Sequence, residues 1–178
     1  MSEIIIKTPI TEYGSDIMQF RNELLSVNDI DMFAGCSTLM SCNTIQQWIA
    51  LLCLHEDNTT CPEDITPSST YIAVRCSDEK VVGIIELRHN IDSEVLSTWG
   101  GHIEYTVRPS ERNKGYAKEM LKLLLRNFVT SNDRLLITCN AENIASEKVI
   151  KDNGGIFEKE ISVNGKNIKR YWIYINEA

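Results

Sequence analysis

Apolar and polar positions along this chain change their period several times, and each change marks an element. "EIIIKTP" (3–9) reads as an opening strand ended by Pro9. Over residues 11–27, Ile17, Phe20, Leu24 and Leu25 fall on one face with polar residues between them, which predicts a helix. "NTIQQWIALLCLHED" (43–57) predicts a second helix, capped by Asn43 or Thr44 and too apolar to lie fully exposed. Residues 58–68, "NTTCPEDITPS", are loop by composition.

The pattern then turns β-rich. "TYIAVRC" (70–76) and "VVGIIELRH" (81–89) are separated by the short turn "SDEK", so they predict a hairpin. Residues 90–100 are ambiguous between a loop and a loop with one helical turn. "GHIEYTVR" (101–108) is a strand stopped by Pro109. From about 115 to 129, Ala117, Met120, Leu121, Leu124, Leu125 and Phe128 make an apolar stripe, with Lys118, Lys122 and Arg126 on the other side. "RLLITC" (134–139) is a buried type of strand, and 143–153 a helix with a Glu147–Lys151 pair and Gly154 as its stop. The last two strands are joined by Asn164-Gly165, a strong hairpin signal. The order β-α-α-β-β-β-α-β-α-β-β, with no repeat, linker or low-complexity stretch, predicts one α/β domain over residues 1–178.

Composition narrows the function classes. No apolar run approaches the ~20 residues of a membrane span, and the start lacks a basic leader with a cleavage site, so the expected location is the cytoplasm, with no membrane partner. Six cysteines lie in different kinds of segment, and the expectation is reduced thiols packed as small hydrophobes. No C-x-x-C occurs, and His55, His89 and His102 show no ligand spacing, so no metal is expected. A net charge of −7 argues against nucleic-acid binding. The charge is uneven: residues 1–98 carry 5 Lys and Arg against 15 Asp and Glu, and residues 99–178 carry 13 against 10. The second half therefore suits an anion; the acidic first half suits either a cation or an ordinary solvated acidic surface.

That anion has an obvious seat. In "RPSERNKGYAKEML" (108–121), Arg108, Arg112, Asn113, Lys114 and Lys118 surround Gly115 between a strand and a helix. The first N–H groups of a helix have no internal partner and carry the positive end of its dipole. Glycine at 115 lets backbone approach a phosphate closely. The loop is neither a Walker loop nor a dinucleotide fingerprint, whose glycine spacings are absent. A basic exposed loop ahead of an ordinary amphipathic helix is the competing explanation.

Arg112-Asn113-Lys114-Gly115-Tyr116-Ala117 matches the R/Q-x-x-G-x-G/A motif of the GNAT acetyltransferase superfamily. The "CNAENIASEKVIKDNGG" run (139–155) resembles that family's next strand and helix, and the likeness spans nearly the whole chain. Within the superfamily the chain resembles predicted bacterial acetyltransferases carrying "GGHI-x-Y" before "VRPSER-x-KGYA". The resemblance implies a GNAT-type fold, a mostly antiparallel sheet flanked by helices, with acetyl-CoA as co-substrate. Its pyrophosphate would rest on the backbone of residues 112–118 (Arg112, Asn113, Lys114, Gly115, Tyr116, Ala117, Lys118). The pantetheine arm would pair with the strand at Tyr105 and Val107, splayed from the strand at 134–139. Asn140, Asn143 and Ser146 would contact the arm from the far side, and Lys148 would help hold phosphate. Dimers are common in the superfamily, so a homodimer is allowed.

The implied reaction is acyl transfer. An amine attacks the thioester carbonyl, and a backbone N–H near Val107 holds the oxyanion. An aliphatic amine, with a reference pKa near ~10.4, is nearly all ammonium at neutral pH, so a base must remove a proton. Glu104 on the lining strand is the first candidate and His89 the second; His102 is expected to be structural. Many relatives place a tyrosine in the last helix to protonate the leaving thiolate. That register falls here on Val149, which leaves Ser146 or water for the task. Acidic residues around the expected acceptor pocket (Glu12, Asp16, Asp29, Asp31, Glu56, Asp57) favour a small cationic amine. Acetylation of a protein N-terminus or lysine is the alternative, and a non-catalytic acyl-CoA-binding module is the reading from another class.

Overall fold

In the computed structural model, residues 3–27, 33–129 and 134–175 are described. The strands are β1 (Ile4–Lys7), β2 (Ser68–Arg75), β3 (Val81–Arg88), β4 (Ile103–Val107), β5 (Arg134–Asn140), β6 (Ile156–Val163) and β7 (Lys166–Tyr174). The helices are α1 (Gly14–Ser26), α2 (Ser37–Ser41), α3 (Ile45–Glu56), α4 (Tyr116–Asn127) and α5 (Ile144–Asp152). The strands and the longer helices follow the expected order, and the short helix α2 is added between α1 and α3.

Local chemistry accounts for the boundaries. Thr44 caps α3 through a reciprocal capping box with Gln47, whose side chain returns to the Thr44 N–H. The β6–β7 turn has Asn164 and Gly165 at φ 50° and 78°, the left-handed pair that matches strand twist. The helix expected from residue 11 begins with a single 3-10 turn at Thr11–Tyr13 and becomes α-helical at Gly14. Gly14 allows a close approach there, since a Cβ would come within 2.8 Å of Ile45.

The strands form two antiparallel sheets, ordered β1-β2-β3-β4 and β5-β7-β6. They are stitched at one point. The His102 N–H donates to the Leu136 carbonyl at 2.8 Å, and the Leu136 N–H donates back to His102 Nδ1 at 2.9 Å. Beyond that stitch no ladder joins β4 to β5 among the described residues, which leaves an open seam between Tyr105–Val107 and Thr138–Asn140.

Strand alternation divides the core into two layers. Val82, Ile85, Leu87 and Ile103 pack with α4, α5 and the second sheet. Ile72, Val74, Val81 and Ile84 pack with α1, α2 and α3. Helix α4 lies tight on β3 because position 83 is glycine; a Cβ there would strike the Met120 sulfur. The ambiguous segment proves to be a π-turn, Leu96–Gly100, held from both sheets. Arg170 on β7 donates to the carbonyls of Ser97 and Thr98, and Arg88 on β3 to those of Gly100 and Gly101.

Candidate active site

The seam ends where β4 runs into the loop before α4. Pro109–Glu111 form a 3-10 turn, then Asn113 and Gly115 both adopt left-handed φ, 63° and 85°. Gly115 is the N-cap of α4, and nothing lies within 4 Å of where its Cβ would be. Alternating left- and right-handed residues turn successive N–H groups toward one side, a nest suited to an anion. Among the described residues, the N–H groups of residues 113–118 donate to no carbonyl. The open seat is therefore main-chain, and it aligns with the positive end of α4.

The cations grouped around it in sequence separate in space. Arg108 is 1% exposed and does not reach the loop's open side. Its guanidinium is held by Asp16 at 2.7 Å and Glu23 at 2.6 Å, with Nη1 also donating to the Val81 carbonyl. The charge cluster thus loses Arg108 to the core, and the acceptor pocket loses Asp16, whose other oxygen accepts the Val81 N–H at 2.6 Å. Lys114 pairs with Glu111, and Lys118 with Asp152 at 3.0 Å. Arg112 Nε donates to the Val107 carbonyl. Tyr116 is buried, its hydroxyl reaching Glu3 and Arg75, while Ala117 packs on the core.

Glu111 fastens this loop to the β2–β3 turn. It is 5% exposed and receives Arg75, Lys80 and Lys114, each at 2.8 Å. Hydrogen bonds from Lys114 and Lys80 lead the forces that draw its carboxyl down to about 2. The loop is therefore presented by a rigid ionic anchor.

On the far wall, Asn143 is the N-cap of α5, its side chain accepting the Ser146 N–H at 3.0 Å. Asn140 accepts the Glu142 N–H in the connecting turn. Both amides thus shape the wall by bonding to backbone. Lys148 is exposed on α5. Across the seam the Tyr105 hydroxyl donates to Ser146 Oγ at 3.3 Å and lies 3.5 Å from the Ser146 carbonyl. Burial pushes its phenol up to about 12. Val149 lies on the same helix and packs against the core.

Glu104 faces the opposite side, toward α1–α3. One carboxylate oxygen meets Arg88 at 2.9 Å and the other accepts the Gly35 N–H at 3.2 Å. The Phe33–Cys36 turn lies directly on the strands here, and a Cβ at Gly35 would come 2.6 Å from the Glu104 carbonyl. His89 is held elsewhere, its Nε2 2.9 Å from Ser69 Oγ, which also donates to Glu56. It lines a surface hollow with Cys53, Glu56 and Asp57, away from the Glu104–Arg88 pair. His102 is the structural stitch already described.

Among the acidic residues assigned to the acceptor side, Glu12 borders a hollow beside the β2–β3 turn, and Asp57 is spent on Thr59. Asp29 and Asp31 lie outside the described residues. The sequence reading missed Glu86, which stands directly across β3–β4 from Glu104 on the same face. Alternation from Ile84 signals its face, but only the strand register reveals its partner. Among the described residues there is no group of His, Cys, Asp or Glu suited to a metal ion, and no helix long and apolar enough to cross a membrane.

The family model of the acetyltransferase (GNAT) domain matches residues 13–156, so the chain belongs to the GNAT acetyltransferase family. Its enzyme class is N-acetyltransferase, and its fold is the α/β arrangement of that family. No curated protein matches it in sequence. Among solved structures it is similar to the microcin C7 self-immunity acetyltransferase MccE in complex with acetyl-CoA and AMP. That pair shares 18% identity at a TM-score of 0.67, over 98% of this chain and 94% of the other. It is equally similar in fold to the Salmonella typhimurium acetyltransferase that modifies the N-terminal serine of ribosomal protein L7/L12, with 14% identity, TM-score 0.67 and coverage of 99% and 97%. A chimera of the Vibrio cholerae spermidine N-acetyltransferase SpeG with hSSAT gives 14% identity, TM-score 0.63 and coverage of 97% and 96%. At these identities the likeness speaks for the fold.

Proposed function

We propose that one catalytic domain over residues 1–178 moves an acetyl group from acetyl-CoA to a primary amine by direct attack in a ternary complex. The observation that carries this reading is the row of unspent N–H groups at 113–118, opened by left-handed Asn113 and Gly115 at the end of the seam. The site fits a diphosphate because its donors are fixed main-chain groups and the positive end of a helix faces them.

In this reading the arm runs along the seam, pairing with main chain at Tyr105 and Val107 and passing Asn140, Asn143 and Ser146, with Lys148 near the phosphates. A backbone N–H near Val107 holds the developing oxyanion. The Tyr105 hydroxyl and Ser146 lie on the arm's side of β4, whereas Glu104 lies on the acceptor's side. A carboxylate there draws an ammonium group and can accept its proton. His89, held on Ser69, is a more remote candidate for relaying that proton.

A small cationic amine is the preferred acceptor, because the face of β3–β4 turned to the acceptor carries two carboxylates, Glu86 and Glu104, with Arg88 paired to Glu104. Likeness to the enzyme acting on the L7/L12 N-terminal serine favours, as a second reading, a protein N-terminus.

A panel of amines with acetyl-CoA and a thiol-detecting reagent tests the proposal. The panel includes spermidine, an amino sugar and a seryl peptide. Amine-dependent release of free CoA is the expected result. Tight acetyl-CoA binding with no release for any amine would make the chain a binding module instead.

A further inference from the structure

Glu86 and Glu104 are cross-strand partners, paired Cα to Cα in the β3–β4 register, and both side chains face the α1–α3 layer. Residues so paired have Cβ atoms about 5 Å apart, and like charges in that position repel. The structure relieves only one of the two. Glu104 has both oxygens engaged, by Arg88 and by the Gly35 N–H. Glu86 is half-buried on a central strand, and among the described residues no hydrogen bond or ion pair holds its carboxylate. Besides Arg88, which is spent on Glu104, Cys36 on the turn packed over both strands is an ionisable group placed against the pair. Burial first, and then the two carboxylates, push its thiol well above the usual range. No cation on that turn therefore compensates Glu86.

A half-buried, unpaired carboxylate beside a second carboxylate is unfavourable unless a cation or a proton reaches it. On the acceptor side of an amine acetyltransferase both arrive together, carried by the substrate's ammonium group. We propose that Glu86 is the group that accepts the acceptor amine's proton, and that Glu104 is a positioning residue held by Arg88. This inference rests on the acetyl-transfer reading above.

The step balances without any further reactant. The ammonium gives one proton to the Glu86 carboxylate, and the freed lone pair forms the new C–N bond at the thioester carbonyl. The C–S bond breaks with its electron pair on sulfur, and the second amine proton passes to the thiolate. Glu86 then returns its proton to solvent. Glu104 is a poorer acceptor for the first proton, because protonation there would break its ion pair and leave Arg88 uncompensated.

The test compares wild type, Glu86→Gln, Glu86→Asp and Glu104→Gln with the best amine from the panel, following kcat and KM across pH. Acetyl-CoA affinity, measured separately by calorimetry, serves as the check on folding and on the donor site. The expected result for Glu86→Gln is a fall in kcat of about a hundredfold or more at neutral pH with unchanged acetyl-CoA affinity. Its rate should keep climbing with pH toward the amine's own pKa of ~10.4, where wild type has levelled off. Glu86→Asp should restore part of the rate. Hydroxylamine, whose nitrogen is unprotonated at neutral pH, should react with wild type and Glu86→Gln at similar rates. Glu104→Gln should chiefly raise the acceptor KM and keep the wild-type pH profile.

A Glu86→Gln enzyme with wild-type kcat and pH profile would overturn the assignment. So would a Glu104→Gln enzyme whose rate, unlike that of Glu86→Gln, keeps climbing with pH. A wild-type chain that binds acetyl-CoA but acetylates no amine would remove the transfer reading and this assignment with it.

Discussion

Arg108 and Asp16, 92 residues apart in sequence, meet at 2.7 Å beside the last residues of β4. The same guanidinium takes Glu23 at 2.6 Å, lies 5.9 Å from the centre of the Phe20 ring and is 1% exposed. Glu23 in turn accepts from the Ser110 N–H and hydroxyl, so α1 is tied to the turn that precedes the anion seat. Removing one member of a buried ionic group leaves the others uncompensated. Arg108→Ala should cost about 3 kcal/mol in urea denaturation, while Arg108→Met, which fills the space, should lose no less because two carboxylates stay unpaired. A loss under about 1 kcal/mol for both would show the pairing to be incidental.

His102 joins the two sheets as a neutral imidazole, since its Nδ1 accepts the Leu136 N–H. Burial, with the nearby positive charge of Arg88, holds its pKa below the usual range. The unfolded chain therefore binds a proton at a higher pH than the folded one. The stabilisation is fully present above ~6.5 and is lost as pH falls through that value toward the lower folded pKa. Melting temperature should drop more steeply between neutral and mildly acidic pH in wild type than in His102→Asn, which keeps an acceptor but cannot titrate. Parallel curves would remove this role.

Arg88 holds the Glu104 carboxylate and the carbonyls at the end of the π-turn together. Arg88→Gln should release both. Amide hydrogen exchange across Leu96–His102 should rise several-fold, and the acceptor KM should rise with it while acetyl-CoA affinity holds. Unchanged exchange would mean that Arg170 and Thr138, which also bond this turn, suffice to hold it.

Much of this architecture can be read without coordinates, because its signals are local. The Asn164-Gly165 turn, the Thr44 cap and the stripe from Ala117 to Phe128 each depend on neighbours within a few residues. Gly115 likewise announces the N-terminus of α4. What escapes a linear reading depends on distant partners. Arg108 sits among the loop cations in sequence, yet its partners lie on α1, so local charge clustering overstates the charge available to an anion. The π-turn at 96–100 has no strong pattern of its own and is held by Arg170, more than 70 residues further on. Glu86 looks like any polar position in an apolar strand until the β3–β4 register places Glu104 beside it.

The nest makes a quantitative demand on the loop. If main chain holds the diphosphate, Lys114→Ala and Lys118→Ala should each weaken acetyl-CoA binding by less than about tenfold, since both ammonium groups are already paired. Gly115→Ala should weaken it by more than about tenfold. A side chain there has room, but the left-handed backbone costs about 1–2 kcal/mol and the N–H row shifts. The reverse ranking in calorimetry would move the seat from the backbone to the lysines.

The most direct measurement is a crystal structure of the chain with acetyl-CoA. The diphosphate should lie within hydrogen-bonding distance of the N–H groups between Asn113 and Lys118, with the acyl arm in the β4–β5 seam and its carbonyl near Val107. A diphosphate bound on another surface, or a seam left empty at saturating acetyl-CoA, would contradict this placement.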